Sequence, residues 1–176
     1  MSTIKTTNIT HGSNSGTANL ALASNGNVTI GGALSATGGR GKVLQYVYES
    51  AGTQITTSGA DISELIDATI TPASASNKIL VIANAVLSIT NHNSNAYAMT
   101  YLYRGASEGT ELHQENIGTT ANHAHSISTS PWILDSPNTT SAQEYTFSMQ
   151  RGSSGTSHVA TSAHCNYHLM LIELEG

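Results

Sequence analysis

The stretch Lys78–Thr90, KILVIANAVLSIT, constrains this chain more than any other. Its β-branched residues crowd χ1 in a helix and pack well on a pleated surface. A continuous apolar run of this kind reads as a strand buried on both faces. The rest of the chain from Lys42 onwards follows suit. Residues 42–49 (KVLQYVYE) are rich in Val and Tyr, and residues 96–104 (AYAMTYLYR) alternate, with Tyr97, Met99, Tyr101 and Tyr103 on one face. Residues 144–151 (EYTFSMQR) alternate again, grouping Tyr145, Phe147 and Met149, and residues 166–175 (NYHLMLIELE) form a further strand. Residues 54–57, 68–71, 111–115, 125–128 and 132–134 are shorter candidates. Gly, Asn, Ser and Pro divide them. A helical turn fits only residues 61–67 (DISELID), where Asp61 can cap and Glu64 stands three residues on. About eight strands without helices between them predict an all-β, antiparallel, jelly-roll-like sandwich rather than a parallel α/β sheet.

The last strand is apolar on both faces. Tyr167, Leu169 and Leu171 point one way, and Met170, Ile172 and Leu174 the other. Such a strand either lies centrally in a sheet or has its second face covered by another subunit.

Residues 1–41 are different. Ile4, Ile9, Leu20, Leu22, Val28, Ile30 and Leu34 stand singly among small and polar residues, too few to offset the cost of ordering a domain. They are nevertheless patterned: Leu20/Leu22 and Val28/Ile30 alternate on either side of Asn25-Gly26, a strong hairpin signal. The segment closes with Gly38-Gly39-Arg40-Gly41. The chain thus divides into an extended N-terminal β arm, residues 1–41, and a body, residues 42–176. An arm of this kind needs another surface, which points to an assembly protein.

Charged residues make up only 10% of the 176 residues, and the net charge is -5. Lys5, Arg40, Lys42, Lys78, Arg104 and Arg151 are the cations, clustered nowhere beyond Arg40 and Lys42. A phosphate track has no source in them, so no nucleic-acid partner is expected. No apolar run reaches the roughly 20 residues of a spanning helix, and no membrane partner is expected. The lone Cys165 permits no intrachain disulfide and reads as a small buried apolar residue.

Catalysis would need a nucleophile with a base, paired carboxylates or a phosphate loop, and none of those motifs is legible. We expect no enzyme and no cofactor. The eight histidines offer one metal candidate, His123-Ala124-His125, whose rings share a face in a strand. Carried round a three-fold axis the pair could form an octahedral set, although a polar loop is the plainer reading. His164 and His168, four apart at the start of a strand, sit about 13 Å from each other and cannot share one ion.

Several short stretches carry a family likeness. They are Lys42-Val43-Leu44-Gln45, Ser76-Asn77-Lys78-Ile79-Leu80-Val81, residues 134–142 (LDSPNTTSA) and Leu169-Met170-Leu171-Ile172-Glu173. Together they resemble a small C-terminal jelly-roll-like domain of tailed-phage virion proteins, especially fibres and head decorations. The opening MSTIKTTNIT and the later Asn27-Val28-Thr29-Ile30 resemble the start of such proteins. The resemblance implies a homotrimeric structural protein with no catalytic residues. It does not decide between head and tail; the size of the chain, one body domain after the arm and no long stem repeat, leads us to expect a capsid-decoration (cement) protein in the virion, assembled in the cytoplasm of a bacterial host. Ile4, Ile9, Leu20, Leu22, Val28 and Ile30 would anchor it to the major capsid protein or another virion protein. Leu169, Leu171, Ile172, Tyr101 and Tyr103 would line the trimer contact. The alternative is a short tail fibre or tip that reads a host glycan through residues 91–95 and 119–125, with Tyr97, Tyr101 and Tyr103 as a stacking platform if they face solvent.

Overall fold

Strands whose side chains alternate between an apolar and a polar face bury the apolar one against a second layer. The computed structural model describes residues 42–57, 61–90, 97–118, 125–152, 158–161 and 166–176, together with the backbone of three short N-terminal strands. The strands are β1 (Asn8–Ile9), β2 (Leu20–Leu22), β3 (Val28–Ile30), β4 (Val43–Ala51), β5 (Thr56–Thr57), β6 (Ser63–Ile70) and β7 (Lys78–Thr90). They continue as β8 (Tyr97–Arg104), β9 (Thr110–Gly118), β10 (His125–Thr129), β11 (Trp132–Asp135), β12 (Gln143–Arg151), β13 (His158–Thr161) and β14 (Tyr167–Leu174). Every pairing among them is antiparallel.

The chain divides into two compact units, Met1–Gly39 and Arg40–Gly176. In the first, β2 pairs with β3, Leu20 opposite Ile30 and Leu22 opposite Val28, on either side of the expected Asn25-Gly26 turn. β1 adds to the ladder with Ile9 opposite Leu20.

The second unit is a two-sheet sandwich. The larger sheet runs β4-β14-β7-β13-β5, with β10 and β11 also on β7; the smaller runs β6-β12-β8-β9. β7 is the axis of the larger sheet. Its first half lies between β14 and β11, its second half between β13 and β10. The break between β10 and β11 is bridged where Ala83 N donates to Pro131 O at 3.0 Å. On the inner face β7 contributes Ile79, Val81, Ala83, Ala85, Leu87 and Ile89, all fully buried. Tyr167, Leu169 and Leu171 from β14 lie beside them, and Phe147, Met149 and Leu102 face them from the smaller sheet. The other face of β7 is half-buried, so the expected burial on both sides holds fully on one.

The helical turn expected at residues 61–67 is a strand instead. Phe147 pairs with Ile66 and Ser148 with Glu64, so Leu65 is the extra residue of a β-bulge. The bulge sends both Leu65 and Ile66 into the core. That doublet breaks the period-two pattern and imitates a helical face.

The β8–β9 connection holds Gly105 at φ 90° and the exposed Glu108 at φ 68°. A left-handed conformation strains a residue with a Cβ, so Glu108→Gly should stabilise the body by about 0.5–1 kcal/mol. Urea midpoints of the two proteins test this, and an unchanged or lower midpoint would contradict it.

Candidate functional site

The register across the larger sheet builds a face that points away from the core. Tyr46 lies opposite Ile172, Ile172 opposite Leu80, and Leu80 opposite Leu134. The adjacent outward row is Tyr48, Met170, Ile82 and Trp132, in the same strand order. These two rows cross four strands, β4-β14-β7-β11, without a charged side chain. The middle residues are half-buried by their neighbours, while Tyr46 is 71% exposed, Trp132 66%, Tyr48 52% and Leu134 43%. Val43 and Leu44, where the register slips between Glu173 and Leu174, are also exposed. Tyr48 is held in place by His168. Its hydroxyl lies 2.7 Å from His168 Nδ1, and the rings stack with centroids 5.6 Å apart.

The inward row next to it ends the core in polar groups: Gln45, Glu173, Ile79 and Asp135 lie opposite one another. Glu173 is fully buried. Its Oε1 accepts from Ala73 N at 2.7 Å and Asn77 Nδ2 at 2.6 Å, and its Oε2 accepts from Gln45 Nε2 at 2.6 Å. Burial pushes its carboxyl up, but the donors Asn77, Gln45, Ala73 and Ser74 outweigh it and hold the group below its ordinary value. Asn77 Oδ1 in turn accepts from Gly176 N at 3.2 Å. These bonds fasten β14 to the β6–β7 connection.

Asp135 joins the two sheets. Arg104 Nη1 of β8 donates to both of its oxygens, at 3.1 and 3.0 Å. The Tyr145 hydroxyl of β12 donates to its Oδ2 at 2.7 Å. Burial, the hydrogen bond and the charge of Asp135 push the Tyr145 hydroxyl far up, against the lowering effect of Arg104, so it stays a donor. The sequence pattern LDSPN suggests a carboxylate that caps its own turn. The structure directs that carboxylate inward. Asn138 alone makes a local side-chain bond there, donating to Ser136 O at 3.0 Å from a φ of 54°.

The expected trimer-contact residues separate. Leu169 and Leu171 are enclosed in the chain's own core with no exposed surface, which corrects their expected place at a subunit contact. Ile172 does point outwards, at the centre of the apolar face. Tyr101 and Tyr103 lie on the outward side of the smaller sheet, yet they are buried and stack on each other 5.5 Å apart. The β8–β9 connection turns back onto that side, where Gly105 O accepts from Thr146 Oγ1 at 2.7 Å and Ser107 Oγ lies 2.7 Å from Ser148 Oγ. Tyr101 donates to Gln150 Oε1 at 2.7 Å. Burial, with Tyr101, Glu111 and Glu108 nearby, pushes the Tyr103 hydroxyl up to about 12. Neither ring is open to a neighbour or a sugar; Tyr97 is exposed.

Of the expected anchoring residues, Ile9, Leu20, Leu22, Val28 and Ile30 are strand residues of the β1-β2-β3 ladder. Ile4 lies outside the described residues, as do His123, His164, Cys165 and the segments 91–95 and 119–124. His125 begins β10, opposite Ile89. Among the described residues, no group of three or more His, Cys, Asp or Glu is placed to hold a metal.

No protein-family model matches the sequence, and no curated protein matches it. Solved structures similar to the chain include particles of infectious bursal disease virus. One is the T13 viral particle, at 10% identity and a TM-score of 0.40, covering 73% of this chain and 37% of that one. Another is the Gx strain, at 13% identity and a TM-score of 0.38, covering 74% and 39%. The VP2 subviral particle gives 14% identity and a TM-score of 0.35, covering 75% and 40%. The chain thus spans less than half the length of each.

Proposed function

We propose that this chain is a structural protein of a tailed-phage virion, a homotrimeric capsid-decoration protein with a jelly-roll body. The observation that carries the reading is the winding of the body. The chain passes from β4 and β5 in the larger sheet to β6 in the smaller, back to β7, and across again to the β8–β9 hairpin. It then returns to β10 and β11, crosses to β12, and ends on β13 and β14. Six of the ten connections change sheet, the pattern of two interleaved Greek keys. The outcome is two sheets that read β4-β14-β7-β11 and β6-β12-β8-β9.

The arm supports the attachment. Its short ladder β1-β2-β3 lies in a compact unit of its own, Met1–Gly39. Unpaired edges of short strands can extend a sheet in a capsid subunit by β-augmentation. Three arms on one trimer would bind with high effective concentration. The glycan-reading alternative loses two of its expected stacking rings, because Tyr101 and Tyr103 are buried.

Deleting residues 1–41 should abolish binding to capsids while the body keeps its β-sheet circular dichroism. A truncated body that still sediments with capsids would overturn the attachment. Gold-labelled antibody on intact particles places the protein: label over the head is expected, and label confined to the tail contradicts the decoration role.

A further inference from the structure

We propose that the outward face of β4-β14-β7-β11 is the surface through which copies of this chain bind one another. The chain has one such surface among its described residues. Seven large apolar side chains are exposed among the described residues, and six of them, all but Tyr97, lie on β4 or β11 of this sheet. Scattered single residues of this kind are ordinary on a soluble surface, whereas a contiguous patch marks a binding site.

Area comes first. An aromatic side chain offers roughly 200 Å2, so Tyr46, Tyr48 and Trp132 at their observed exposures leave on the order of 400 Å2 open. Val43, Leu44 and Leu134, with the half-buried Leu80, Ile82, Met170 and Ile172 between the rims, bring the face towards the ~800 Å2 per partner of a stable interface.

Chemistry then selects the occupant. The two rows carry no charge, so nothing on them chooses a foreign partner by charge complementarity. Their match in polarity is another uncharged, aromatic-rimmed sheet face, and each copy of the chain supplies one. The tyrosines of β4 form one rim and Trp132 of β11 the other, the residue types that dominate binding energy at interfaces. The Tyr48–His168 bond and stack fix one ring in advance and reduce the ordering cost of association.

Trp132 is the single tryptophan of the chain, so its fluorescence reports this face alone. We expect the full-length protein to sediment as an oligomer, with a blue-shifted emission and weak quenching by acrylamide. Tyr46→Ala should raise the dissociation constant roughly 30-fold, and Tyr46→Glu should release monomers whose Trp132 is freely quenched. Tyr46 is mostly solvent-exposed, so both variants should keep the circular dichroism of the parent. A monomer with open Trp132 would overturn the proposal, and so would a monomer with protected Trp132, because the cover would then come from its own chain. An oligomer that Tyr46→Glu leaves intact would also overturn it. This surface gives the proposed self-association a place but does not rest on the virion reading: a chain that binds no capsid yet protects Trp132 in an oligomer would sink only the latter.

Discussion

Replacing Glu173 with alanine should destabilise the body by about 3–5 kcal/mol, because Asn77, Gln45 and the Ala73 amide would each lose a buried acceptor. Urea denaturation measures the loss directly, and a change below about 1 kcal/mol would show that water replaces the carboxylate without cost. Acid should act through the same group. Its folded value lies below that of an unfolded glutamate, so its contribution is complete above about pH 4.3 and fades as pH falls through the folded value. Glu173→Gln should be less stable at neutral pH and should lack that acid limb. If parent and variant lose stability in parallel between neutrality and acid, the carboxylate is not the titrating group.

Asp135→Ala should cost about 3 kcal/mol, since it leaves the buried Tyr145 hydroxyl and the Arg104 guanidinium without their shared acceptor. The residue links β11 of one sheet to β8 and β12 of the other. Tyr145→Phe removes one donor and leaves Arg104 in place, so its cost should be nearer 1 kcal/mol. In a double-mutant cycle the two losses should be clearly non-additive. Additive losses would mean that the hydroxyl and the carboxylate act apart.

Much of this architecture is legible in the sequence. The bounds of β7, the alternation of β8 and β12, the two apolar faces of β14 and the pairing of β2 with β3 all follow from local pattern. What stayed hidden depends on register between distant strands. Tyr46, Ile172, Leu80 and Leu134 are far apart in sequence, and only the pairing of β4, β14, β7 and β11 brings them into one row. Leu169 and Leu171 illustrate the same limit. The pattern shows that they share a face, but which face meets the smaller sheet depends on the packing of both layers. Tyr101 and Tyr103 alternate like surface residues and are covered from outside their strand, a fact no periodicity carries. In β6 a single bulge made a strand read as a helical turn. The anchoring role proposed for the arm rests on composition and resemblance, and its ladder adds only the strand register.

The place of β14 has a consequence for how the protein is made. It follows every other described strand in chain order, yet it fills the slot between β4 and β7, with Leu174 opposite both Val43 and Lys78. While a ribosome is still adding residues, the β4 and β7 edges that β14 will occupy stand open, and the buried glutamate that closes the end of the core has not been synthesised. Non-local pairing of this sort is slow and exposes sticky edges. The nascent body should therefore be at its most aggregation-prone just before its final strand emerges, and chaperone demand should be concentrated in that interval.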